Sequence, residues 1–274
     1  MNTDVDFPNQ ESERHRDARR ELLSASCQPH AGEGSLWSAQ TAEARVMPEA
    51  RLVMFSDPYS VGADRFRVLR MHLRALRKNG MPKVLMVTSA LPGEGKSFTA
   101  LNLAIGLSER ARNSVALVEA DLRHPVLVER LGLQELPGMV PCLQNGLDTL
   151  SALRRINPLG ISLLAAGETA ANPIELLNSE AFARTIERLR LTMDWVIIDA
   201  PPVLPVPDVL ALRSHVDACL WVMRAHRTSR EMVRDAMDLL GPDSIIGLLL
   251  NEVDDLEQSY ANYYNGRGPL LLSA

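Results

Sequence analysis

The stretch SALPGEGKS, Ser89 to Ser97, follows four apolar residues, Val84 to Val87, and leads into a helical pattern. Its residue types are those of a phosphate-binding loop. Glycines at 93 and 95 let the backbone approach a ligand closely, so the N–H groups around Gly93 to Ser97 can wrap a phosphate. The helix that follows adds a favourable dipole at its N-terminus. Lys96 is placed to reach the β- and γ-phosphates of a nucleotide, and Ser97 to ligate Mg²⁺. The common form of the loop, G-x-x-x-x-G-K-[ST], has glycine where this chain has Ala90, and Leu91-Pro92 follows.

Two acidic sites follow. VALVEADLRHP, Val115 to Pro125, places Glu119 and Asp121 at the end of an apolar strand pattern, with Arg123 just beyond. In parallel sheets ligands bind at that edge. DWVIIDAPPV, Asp194 to Val203, ends its apolar run in Asp199, which matches the aspartate that holds a magnesium-bound water in phosphate-loop NTPases. Pro201 and Pro202 stiffen the exit. Asn251-Glu252-Val253-Asp254 lacks the lysine of the guanine-reading N-K-x-D motif, so ATP is the expected nucleotide. The expected ATP-binding set is Pro92, Gly93, Glu94, Gly95, Lys96, Ser97, Phe98 and Asn251.

These residues need a scaffold of alternating strands and helices. The patterning predicts strands at 83–88, 114–119, 161–165, 194–199, 216–223 and 244–250. It predicts helices at 64–78, 95–110, 173–190 and 228–240, with shorter ones near 125–131, 146–154 and 207–213. The strands are apolar on both faces, as in a parallel sheet covered on both sides. The expected fold is therefore α/β: a single P-loop NTPase domain over 51–258, with a mostly parallel sheet and helices on both faces. Residues 1–50 read as a weakly ordered arm and 259–274 as a flexible tail.

Composition narrows the function classes. Hydrophobic residues make up 46% of the 274, enough for a sizeable core, and aromatics only 4%, so that core is aliphatic. A net charge of −5 gives no reason to expect nucleic-acid binding. Three cysteines, far apart and without a CxxC, form neither a disulfide framework nor a zinc site, and fit a reducing cytosol. The first twenty residues lack a signal-peptide pattern, and no apolar run reaches membrane-spanning length.

Together, SALPGEGKS, EADLRHP (Glu119 to Pro125), VIIDAPPV (Val196 to Val203), NPIELL (Asn172 to Leu177) and LLLNEVD (Leu248 to Asp254) resemble the bacterial tyrosine kinases of exopolysaccharide and capsule synthesis. These belong to the deviant Walker group that includes the MinD and ParA ATPases. MinD and ParA carry an additional lysine where this chain has Leu91, whereas Ala90-Leu91-Pro92 is similar to the kinase form. The resemblance spans roughly residues 55–265. It implies a non-specific protein-tyrosine autokinase using ATP and Mg²⁺, with Lys96, Glu119, Asp121 and Asp199 as catalytic residues and Ser97, Asp199 and Glu119 around the metal. It implies autophosphorylation by a neighbouring subunit at Tyr260, Tyr263 and Tyr264; the chain has one other tyrosine, Tyr59. Asp64, Arg67 and Arg70 correspond to the helix that assembles the family's ring, an E-x-x-R-x-x-R motif. The implied setting is cytoplasmic, at the inner face of the membrane through a separate co-polymerase that activates the kinase. The family has Asp where this chain has Glu119. The alternative is a MinD/ParA-like ATPase switch that regulates such a partner without phosphorylating tyrosine.

Overall fold

The computed structural model describes residues 40–46, 50–78, 82–109 and 111–253. Eight strands are present among them: β1 (Gln40–Glu43), β2 (Val84–Ser89), β3 (Val115–Glu119), β4 (Arg154–Asn157), β5 (Ile161–Leu164), β6 (Trp195–Asp199), β7 (Ala218–Arg224) and β8 (Ile245–Asn251). They form one sheet in the order β1-β4-β5-β3-β6-β2-β7-β8. All neighbouring pairs are parallel except β4 with β5. The expected mostly parallel α/β sheet is thus the fold.

The helices are α1 (Val53–Ser56), α2 (Val61–Lys78), α3 (Lys96–Ser108), α4 (Leu127–Arg130), α5 (Met139–Asn145), α6 (Thr149–Ala152), α7 (Pro173–Leu177), α8 (Glu180–Thr192), α9 (Asp208–Leu212) and α10 (Arg230–Leu240). Strands β2, β3 and β6 are buried along their whole length. Their unbroken runs of Val, Leu, Ile and Met suit a sheet centre covered on both faces. Helix α3 is buried almost all round and forms the centre of the core with them.

The differences from the sequence pattern are local. Strands β1 (QTAE) and β4 (RRIN) are short and mostly polar, so neither shows a strand period. Strand β1 lies within the stretch read as an arm, and adds an edge strand beside β4. The helix expected at 146–154 contracts to α6, capped by the Asp148 carboxylate accepting the Ser151 N–H at 2.9 Å, and the chain turns directly into β4. The helix expected at 173–190 is two. Ser179 ends the first and caps the second, its hydroxyl accepting the Phe182 N–H at 3.2 Å.

The sheet register brings the acidic residues to the loop. Asp199 pairs with Glu119 on one side and with Val87 on the other, two residues before Ser89. Three carboxy-terminal strand ends therefore converge where β2 enters the phosphate loop.

Candidate active site

The loop runs from the end of β2 into α3 and is held from several sides. Thr88 donates its hydroxyl to the Pro201 carbonyl at 2.8 Å, tying the loop strand to the proline exit of β6. Gly93 and Gly95 have φ of 78° and 98°, a region that favours glycine. A Cβ on Gly95 would meet the Asn251 amide nitrogen at 2.1 Å, so a larger residue there would displace Asn251 as well as strain the left-handed backbone. Asn251 in turn donates to the Glu94 carbonyl at 3.1 Å. It thus fastens the loop to the end of β8.

Glu94 does more than its place in the motif indicated. It is fully buried. One carboxylate oxygen accepts the Leu91 N–H at 2.7 Å and closes the loop on itself. The other accepts the Thr228 hydroxyl and the Arg224 N–H. Glu94 thereby joins the phosphate loop to the segment between β7 and α10. Nothing in the spacing of the sequence pointed to that partnership.

Lys96, the first residue of α3, is 8% exposed. Ser97 follows, half-buried, and lies near enough to Asp199 to draw its carboxyl down. Burial pushes Asp199 up to about 7, against the opposing pull of Ser97 and the Lys96 charge. Its Oδ1 is buried without a hydrogen-bond partner among the described residues. A buried carboxylate oxygen with no partner, beside a hydroxyl and a lysine, fits a hard cation held with nucleotide phosphates. Among the described residues no three His, Cys, Asp or Glu side chains gather to hold a metal by themselves.

Glu119 is placed otherwise than expected. Its side chain is 1% exposed, and its oxygens are taken by backbone amides: Oε1 accepts Val126 N–H and Leu127 N–H, both at 2.6 Å, and Oε2 accepts Ala166 N–H at 3.0 Å. Burial raises its carboxyl above the usual range despite these bonds. In this arrangement the Glu119 carboxylate bridges the entry of α4 and the exit of β5 through backbone amides, while its strand position stays paired with Asp199. Asp121 remains half-buried at the rim and accepts the His124 N–H at 3.1 Å. Arg123 forms a two-point bond to buried Asp208 at the start of α9, with N–O distances of 2.6 and 2.9 Å.

Other expected residues separate from the site. The Phe98 ring packs edge-on against Phe66 of α2, with centroids 5.8 Å apart. That leaves Phe98 its first-turn backbone N–H for a ligand. Pro92 is exposed at the tip of the loop. On α2, Arg67 pairs with Asp64 at 2.6 Å, whereas Arg70 turns inward to the Gly106 carbonyl and Glu109 at the end of α3. The three charges therefore do not form one outward face. Tyr260, Tyr263 and Tyr264 lie outside the described residues.

No family model matches the chain. Individual proteins do. It is 28% identical over 218 residues to the tyrosine-protein kinase YwqD of Bacillus subtilis, covering 79% of this chain and 92% of that protein. It is 29% identical over 244 residues to the succinoglycan biosynthesis transport protein ExoP of Rhizobium meliloti, covering 86% of this chain but 31% of that protein. Among solved structures, the VpsO kinase domain is 29% identical with a TM-score of 0.64, covering 71% of this chain and all of that domain. The chain is a homologue of the bacterial tyrosine-protein kinases. No helix among the described residues is long and apolar enough to cross a membrane.

Proposed function

We propose that the chain is an ATP-dependent protein-tyrosine autokinase that regulates the synthesis and export of exopolysaccharide or capsule. The observation that carries this reading is buried Lys96 and Asp199 with half-buried Ser97 at the phosphate loop, in a homologue of tyrosine kinases whose tail holds three of its four tyrosines. Lys96 places a fixed cation against the phosphates, and the Gly93 to Ser97 amides orient them. Ser97 and Asp199 would hold Mg²⁺, which when bound neutralises charge on the phosphate oxygens. Asp121, at the open rim, is the carboxylate best placed to receive the phenol proton. Tyr260, Tyr263 and Tyr264 of an adjacent protomer are the acceptors. The working form is a homo-oligomeric ring at the inner face of the membrane, held there by a separate co-polymerase that activates it.

One observation favours a second reading. Glu119 is committed to three backbone amides, so one of two carboxylates expected beside the acceptor is occupied. An ATPase switch needs no phenol-positioning group. Labelling of purified protein with γ-labelled ATP and Mg²⁺ separates the two. The kinase reading predicts phosphotyrosine that falls about 10²–10³-fold in Lys96→Met. Nucleotide hydrolysis without phosphotyrosine, with a candidate activator present, overturns it.

A further inference from the structure

The segment between β7 and α10 presents a cation to the phosphate loop. A Cβ built on Gly93 would stand 3.5 Å from Arg227 Nη1, 3.9 Å from Cζ and 4.0 Å from Nη2. The whole guanidinium group therefore lies against the bare backbone of Gly93. Arg227 is exposed and makes no hydrogen bond or ion pair among the described residues. Its neighbour Arg224 is occupied by an ion pair with Glu252.

The segment carrying Arg227 is fixed at several points. Thr228 and the Arg224 N–H both bond Glu94, and the Ala225 N–H bonds the Asn251 carbonyl at 2.9 Å. His226, directly before Arg227, has φ of 58°, a left-handed conformation uncommon outside glycine that surrounding structure must hold in place. Position 91 carries leucine, so Lys96 is the one cation within the loop itself. A triphosphate bears several negative charges, and a planar guanidinium binds phosphate through two parallel N–H donors.

We infer that Arg227 is a second cation of the phosphate site, contributed from the β7–α10 segment and selective for nucleoside di- and triphosphates. The inference rests on the nucleotide-site reading above. Glu94 is then the positioning residue, because its carboxylate sets the height of the Arg227 segment over Gly93.

The test is calorimetric titration of the full chain with ATP, ADP and, by competition, AMP, all with Mg²⁺. The proteins are the parent, Arg227→Ala, Arg227→Lys and Lys96→Ala. Charge-assisted bonds of this kind predict a loss of about tenfold in ATP and ADP affinity for Arg227→Ala, with AMP unchanged and partial recovery in Arg227→Lys. Thermal unfolding without nucleotide should match the parent, since the side chain is exposed. ATP affinity within twofold of the parent overturns the inference and leaves the nucleotide site standing. An equal loss for all three nucleotides also overturns it, by moving the contact to base or ribose. A parent that does not bind ATP, or a Lys96→Ala variant that binds it as the parent does, overturns the underlying reading as well.

Discussion

Glu119 and Leu127 are joined at 2.6 Å, the buried carboxylate accepting the first N–H of α4. The same side chain holds Val126 and Ala166, so one residue at the end of β3 locks two neighbouring segments. Glu119→Ala leaves two buried amides and one part-buried amide without an acceptor and should lower stability by about 3 kcal/mol. Glu119→Asp shortens the reach by one methylene and should cost about 1–3 kcal/mol. Urea unfolding of both variants checks this. An aspartate variant as stable as the parent would show that the bridge carries no weight.

Asp199 gives a pH dependence with a defined sign. Burial raises its pKa from 3.8 to about 7 in the folded state. Between those values the folded protein holds a proton that the unfolded chain has lost. The stabilising contribution is complete below 3.8 and disappears as pH rises through about 7. Asp199→Asn removes that dependence, so in the absence of nucleotide and metal its stability relative to the parent should grow from about pH 5 to about pH 8. Metal binding needs the ionised form, so the parent's affinity for Mg²⁺-ATP should rise over the same interval and the variant's should stay low and flat. A stability difference that does not change with pH would contradict the assignment.

The charges on α2 divide into two tasks. Arg70 and Arg74 both reach Glu109 at the end of α3, where positive charge also suits the helix terminus. Arg70→Glu should destabilise the folded chain by about 1–3 kcal/mol, through repulsion of Glu109 and loss of the Gly106 contact. Among the described residues, Arg67 holds a partly exposed pair with Asp64 and a contact to the Pro58 carbonyl. Arg67→Glu should shift self-association while changing stability by under about 1 kcal/mol. Sedimentation and urea unfolding, run on both variants, separate the effects. A parent oligomer unaffected by Arg67→Glu would remove this helix from the assembly surface.

Strands β2, β3 and β5 to β8 were legible because each is an apolar run bounded by turn residues. Strands β1 and β4 were not, since each carries a single apolar residue and is defined by pairing at the edge side of the sheet. The phosphate loop and Asp199 were legible because their chemistry is carried by contiguous residues. Glu94 with Thr228, and Glu119 with Ala166, were hidden because the partners meet only after the sheet closes. The strand pattern located Glu119 at the right edge but did not determine which way its side chain turns. Its extra methylene, read as a small displacement within the site, instead reaches another set of partners.

Tyrosine phosphorylation is the central claim, and phosphopeptide mapping tests it most directly. Purified parent, Lys96→Met and a triple variant with Tyr260, Tyr263 and Tyr264 changed to Phe are incubated with Mg²⁺-ATP and a candidate activator, then mapped quantitatively. The account predicts phosphate on the tail tyrosines of the parent, a drop of about 10²–10³-fold in Lys96→Met, and loss of most label in the triple variant. ATP hydrolysis by the parent with no phosphotyrosine in any of the three would contradict it.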